Sequence, residues 1–236
     1  MQNNVSVFLT RVPWVVAAIL LGMAGCLLLY KGDYRKFFTS ALFIKAIMWL
    51  PLYVIFCLAT YSYVSAIILA LLIAAGSVYE WVRHGKASVS WYLVFIIVGC
   101  IVIPLSLVVM SSRLWMTVVM ASVLSDVFAF FFGKTIGYHY LPYSLNNRKT
   151  VEGVIGQIIG GVIGIMITST LFGASIPWWL GLSVGLLSAS GDLANSFAKR
   201  KLDITDWGKT IPGHGGVMDR FSSLNAVIIG TTLLLM

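Results

Sequence analysis

Of 236 residues, 59% are hydrophobic and only 10% charged, whereas a soluble domain is about a quarter charged. The net charge of +8 sits in loops between apolar runs, where basic residues mark cytoplasmic loops and anionic headgroups; no nucleic-acid partner is expected. Runs of about 18 or more residues without charge read as membrane-spanning helices, and their continuity excludes a barrel, whose strands alternate. The expected fold is an all-α polytopic membrane protein with about eight transmembrane helices.

In chain order the spans are expected over residues 12–30, 37–60, 64–81, 89–110, 114–132, 154–171, 178–198 and 217–236. Met23-Ala24-Gly25-Cys26 loosely resembles a lipoprotein cleavage box. Leu27, Leu28, Leu29 and Tyr30 continue the apolar run through it, so the first span is read as retained. Cys26, Cys57 and Cys100 lie in separate runs without metal or redox spacing, which assigns them to packing. Pro104 predicts a kink in the fourth span. Gly156, Gly160 and Gly164 repeat the GxxxG spacing of closely packed membrane helices.

The loops after the first, third, fifth and seventh spans hold most of the Lys and Arg, while those after the second, fourth and sixth hold only Arg113. The positive-inside rule places the first set in the cytoplasm and both termini outside. Residues 1–236 form a single integral membrane domain, in which 1–113 read as a helical scaffold and 114–236 as the catalytic half.

Chemistry concentrates in residues 188–223, which hold Asp192, Asp203, Asp206 and Asp219 together with Lys199, Arg200, Lys201, Lys209 and Arg220. A carboxylate inside a span costs about 2.5–3.5 kcal/mol on an insertion scale and is usually functional. Asp126, Asp192 and Asp219 are the residues flagged on that ground. Asp192, Ser196, Lys199 and Asp203 follow one another at four, three and four residues, which lines one helix face. Gly215 and Gly216 precede the last span and are expected to leave its N-terminal amides open to an anion. Asp192 and Asp219 are then expected to share Mg²⁺, with the metal holding phosphate oxygens. The residues alone thus describe a cytoplasm-facing membrane site for a phosphorylated or nucleotide substrate.

The order Gly191-Asp192-Leu193, Ser196-x-x-Lys199-Arg200, Asp206, then Pro212-Gly-His214-Gly215-Gly216-x-x-Asp219-Arg220 resembles the signature of the CDP-diacylglycerol synthases, or phosphatidate cytidylyltransferases. Ser125-Asp126 through Phe132-Gly133-Lys134, and Arg148-Lys149-Thr150-Val151-Glu152-Gly153, resemble two further elements of that family. Thr205 replaces a usual Lys, Ser222 a usual Asp, and Ala198 a larger apolar residue.

The resemblance implies CMP transfer from CTP to phosphatidate, giving CDP-diacylglycerol and pyrophosphate in phospholipid biosynthesis. It implies Asp192, Asp219, Lys199 and Arg220 as catalytic residues, with Asp192 and Asp219 on Mg²⁺ and room for a second cation. It implies Asp126, Lys149, Glu152, Ser196, Arg200, His214, Gly215 and Gly216 as substrate-binding residues. His214 is expected to donate to phosphate or shape its loop rather than act as a base, because a phosphomonoester is largely ionised at neutral pH. The implied partners are CTP, phosphatidate or a related phospholipid, the bilayer of a bacterial inner membrane, and a second copy in a homodimer. The alternatives are a cytidylyltransferase or CTP-dependent kinase acting on another phospho- or polyprenyl lipid, a catalytically reduced relative, and a transporter. Against the transporter, no internal repeat is visible.

Overall fold

The structure, a computed structural model, describes residues 8–29, 34–38, 41–146, 148–211 and 215–236. The described residues form helices joined by short loops: α1 (Val12–Leu29), α2 (Tyr34–Phe38), α3 (Ala41–Ala59), α4 (Tyr63–His84), α5 (Ser90–Val109), α6 (Ser112–Thr135), α7 (Val151–Phe172), α8 (Trp178–Leu202) and α9 (Val217–Leu235). Among the described residues no strand forms; only isolated bridges pair Tyr140 with Thr150 and Ile211 with Gly215.

Among the described residues, four helical segments are long and apolar enough to cross a membrane: Tyr63–His84, Ala87–Val109, Ser112–Thr135 and Val151–Phe172. The stretches Val12–Ala24 and Ile47–Ala59 are apolar but shorter. α8 and α9 fall outside this group for a physical reason: α8 carries Asp, Asn, Ser, Lys and Arg in its second half, and α9 carries Asp, Arg, Ser and Asn in its first. α1 runs unbroken through residues 23–26, and Pro104 lies inside α5. Cys57 and Cys100 are buried free thiols; the side chain of Cys26 lies outside the described residues.

Helix ends follow local chemistry. Ser62 and Ser65 cap α4 reciprocally. Thr150 caps α7 by accepting from Gly153 N at 3.2 Å, and Gly173 closes α7 in the left-handed region that glycine tolerates. α8 ends at Leu202, and Asp203 takes a left-handed conformation with φ 55°. Asp203 therefore leaves the helix face on which its spacing placed it.

Small residues set the packing around the site. A Cβ on Gly156, Gly160 or Gly164 would meet Phe132, Phe128 or Ala121 of α6 at 2.5, 2.5 and 3.0 Å. On the other side of α7, a Cβ on Gly161 would meet Gly185 N of α8 at 2.5 Å. The GxxxG expectation thus holds: α7 is a thin wall pressed between α6 and α8, as suits helices that gain little from apolar burial in lipid. α9 completes the bundle by packing on α8, α5, α6 and α4, while α1 packs on α3 and α3 on α4.

Gly160→Leu forces side-chain volume between two backbones and is expected to destabilise the bundle by about 2 kcal/mol or more. The check is a lower thermal unfolding midpoint in detergent. Gly22→Ala, where a Cβ meets nothing within 4 Å, leaves the midpoint undiminished.

Candidate active site

The polar ends of α6 to α9 meet around a cavity of about 480 Å³, within the usual range for small-molecule sites. Asp126 of α6, Lys149 of the α6–α7 loop, Asp192, Ser196 and Lys199 of α8, and Asp219 and Arg220 of α9 line it together. Asp206 and Asn195 join them. One wall is apolar and comes partly from the first half of the chain: Trp49, Leu52 and Phe56 of α3, with Val123 and Phe130 of α6. The cavity thus combines charged and apolar lining.

Each carboxylate is held by a different partner. Lys149 forms an ion pair with Asp192, whose side chain is 30% exposed. Lys199 pairs with Asp219 at 2.7 Å, where the Asp219 side chain is only 2% exposed. Asp219 also accepts from Trp207 N and Gly216 N, each at 2.9 Å. The contact to Gly216 is the reach-back of a first-turn acid to the residue before its helix. Deeper in the cavity, Asp126 Oδ1 accepts from Gln157 Nε2 at 2.7 Å and from Ser188 Oγ at 3.1 Å, joining α6, α7 and α8.

The structure separates some of the expected site residues. Glu152 is outside the cavity lining; it accepts from the backbone amides of Tyr138 and His139 and pairs with the His139 ring, holding the α6–α7 loop to the start of α7. Arg200 also stands outside the lining, and its Nε is buried without a hydrogen-bond partner. It falls next to Lys199 in sequence, about 100° around the helix, which turns it away from the face that meets the cavity. His214 lies outside the described residues. Gly215 adopts φ +85°, and a Cβ there would lie 3.0 Å from Asp219 Oδ2.

The amides that were expected to stay open are occupied. Gly216 N serves Asp219, while Val217 N and Met218 N donate at 2.7 and 3.0 Å to Glu80 of α4. The start of α9 is therefore a carboxylate-filled anion site belonging to the fold.

The expected sharing of one ion by Asp192 and Asp219 starts from this geometry. Both face one cavity, but each holds its own lysine, and among the described residues no group of three or more His, Cys, Asp or Glu forms a ready metal cage. The donor set still suits a hard cation that arrives with substrate, since Mg²⁺ keeps waters and takes one or two carboxylates plus phosphate oxygens. Asp192 is the accessible candidate, while Asp219 becomes available only if Lys199 lets go.

Several contributors were missed from the sequence, one despite a signal and the others for want of one. Glu80 is the lone acid of an apolar helix, the same signal that marked Asp126. Gln157, Ser188 and Asn195 are neutral and read as ordinary span residues. Ser222, where the resembled family has an acid, is buried and lies outside the lining, whereas Ser223 lines it.

Comparison with known proteins now bears on this geometry. The sequence pattern of the cytidylyltransferase family matches residues 5–236. The chain belongs to the cytidylyltransferase family. Among similar members, a phosphatidate cytidylyltransferase of Rickettsia typhi is 32% identical over 200 residues, covering 78% of this chain and 82% of the relative. One of Rickettsia bellii is 31% identical over 199 residues, covering 77% and 80%. One of Mycobacterium tuberculosis strain H37Rv is 36% identical over 114 residues, covering 47% of this chain and 35% of that relative. The chain thus spans about a third of the mycobacterial relatives it matches and about four-fifths of the rickettsial ones.

The two ion pairs differ in burial, and so in what they contribute. Lys199→Met leaves Asp219 enclosed without its cation and is expected to cost about 3 kcal/mol. Lys149→Met leaves Asp192 partly solvated and costs under about 1 kcal/mol. Thermal unfolding of the purified variants should show a clear drop for the first and little change for the second.

Proposed function

We propose that this protein is a phosphatidate cytidylyltransferase that transfers CMP from CTP to phosphatidate, releasing pyrophosphate. The observation that carries this is the mixed lining of one cavity, where Lys149, Lys199, Arg220 and the carboxylates meet the apolar Trp49, Leu52, Phe56 and Phe130. Such a site suits a triphosphate and a diacyl lipid headgroup in contact. Phosphatidate is favoured over polyprenyl or other acceptors because the similar members named above are phosphatidate cytidylyltransferases.

The reaction forms one bond, from a phosphatidate oxygen to the α-phosphorus of CTP, and breaks the α–β bridge, so that pyrophosphate departs. The attacking phosphate is already largely ionised. The protein's task is then to position two anions and offset their charge. Lys149, Lys199 and Arg220 supply that positive charge. Asp192, with Asp219 beside it in the same cavity, would hold a hard cation such as Mg²⁺, which would supply neutralisation of phosphate charge. Asp126, tied to Gln157 and Ser188, anchors the cavity floor, and Ser196 donates toward bound phosphate.

The chain crosses the membrane about eight times in this reading, since α1, α3, α8 and α9 add to the four longer apolar segments. The basic loops 83–86, 133–149 and 199–209 face the cytoplasm, which puts the cavity at the inner face of a bacterial cell membrane, where CTP is available.

Purified protein in phosphatidate-containing micelles is expected to convert labelled CTP into a chloroform-soluble product, with the conversion lost on chelation and restored by Mg²⁺. Asp192→Asn should lower the rate by roughly a hundredfold or more. Turnover with diacylglycerol but not phosphatidate would instead establish a CTP-dependent kinase.

A further inference from the structure

Glu80 is fully buried, sits near the C-terminal end of α4, and is outside the cavity lining. Among the described residues it has no ion-pair partner. Its carboxylate is satisfied instead by the segment that precedes and starts α9. Thr210 Oγ1 donates to Oε1 at 2.5 Å, Val217 N to Oε1 at 2.7 Å and Met218 N to Oε2 at 3.0 Å. Negative charge at a helix N-terminus, met by its first amides, is a favourable arrangement. The surrounding backbone is shaped to it. A Cβ on Gly208 would stand 3.1 Å, and one on Gly216 2.4 Å, from the Glu80 carboxylate oxygens.

Aromatic side chains of the same region hold the other end of the segment. Trp207 stacks between Trp81 of α4 and Tyr92 of α5, at ring separations of 6.0 and 5.5 Å. Its indole donates to Asn195 Oδ1 at 2.8 Å, and Tyr92 donates to Met218 O at 3.1 Å. The segment held in this way carries Asp206 and Asp219, both of which line the cavity. It also carries the amides of Trp207 and Gly216 that fix Asp219.

We propose that Glu80 is a positioning residue for the reaction, acting as the buried template that holds residues 206–211 and 215–219 in their nucleotide-competent form. This rests on the cytidylyltransferase reading for its kinetic consequence, although its structural consequence is independent of it. Most of the apolar lining, Trp49, Leu52, Phe56, Val123 and Phe130, stands on α3 and α6, and Phe221 and Leu224 of α9 lie beyond the amides that Glu80 holds. Loss of the template therefore lowers the fraction of molecules competent for nucleotide, and apparent affinity falls with that fraction. The rate of the saturated enzyme changes much less.

The test uses the full-length protein in nanodiscs, as wild type, Glu80→Gln and Thr210→Val. Hydrogen exchange of the peptide covering 206–219 is measured beside steady-state kinetics with CTP and phosphatidate varied separately. Glu80→Gln is expected to raise exchange at 206–219 while α6 and α7 keep wild-type protection. It should raise the KM for CTP by roughly tenfold, with kcat and the lipid KM within about twofold. Thr210→Val, which removes one donor and leaves the carboxylate in place, shifts both readouts the same way by less. Should Glu80→Gln lose protection throughout the bundle, Thr210→Val alone decides. Unchanged exchange at 206–219 overturns the proposal, and so does local loosening with an unchanged CTP KM or with an equal rise in the lipid KM. If wild type turns over no CTP with any lipid, the cytidylyltransferase reading fails. The template is then judged on exchange alone.

Discussion

A carboxylate among apolar helices has to find its partner inside the protein, because lipid offers none. That constraint organises this chain. Asp126 is met from α7 and α8, Asp192 by the lysine of the α6–α7 loop, Asp219 by α8 and by the turn before its own helix, and Glu80 by the start of α9. Apart from the reach of Asp219 back to Gly216, these contacts cross between elements. The acids are thus both the chemical groups of the site and the ties that hold its walls in register.

Packing and chemistry meet at α7. Its glycines bring α6 and α8 within reach of one another, which is why Asp126 and Ser188 can share one oxygen–hydroxyl contact although 62 residues separate them. A bulkier wall would part the two helices and open the Asp126 network to lipid. In the opposite direction, the ion pairs draw charge out of the low-dielectric interior by neutralising it locally, so the cavity can be rich in titratable groups without a large net charge at its floor. Substrates carrying several negative charges can then exchange with the carboxylates for the lysines.

Much of this was legible in the sequence, and for identifiable reasons. Asp192, Ser196 and Lys199 share a face by helical spacing, and all three reach the cavity. Asp219 stood out as an acid at the start of an apolar run. Gly156, Gly160 and Gly164 announced a close helix pair. Sequence spacing failed where a residue's neighbours come from distant elements. Nothing in residues 64–81 says that Glu80 will meet Val217, and nothing in the Gly-Gly turn says that its amides are already taken. Asp203 failed because α8 ends one residue before it, and Arg200 because adjacent positions on a helix face different ways. The division at residue 113 is also softer than composition suggested, since Glu80, Trp49, Leu52 and Phe56 from the first half shape the site.

The central claim is that nucleotide binds in this one cavity by drawing Lys149 and Lys199 off their carboxylates. An experimental structure of the protein with Mg²⁺ and CTP tests it most directly. The triphosphate is expected against Lys149, Lys199 and Arg220, the cation on Asp192, and residues 206–211 and 215–219 still seated on Glu80. A nucleotide bound elsewhere, or one bound here with both lysine–aspartate pairs intact, would contradict it.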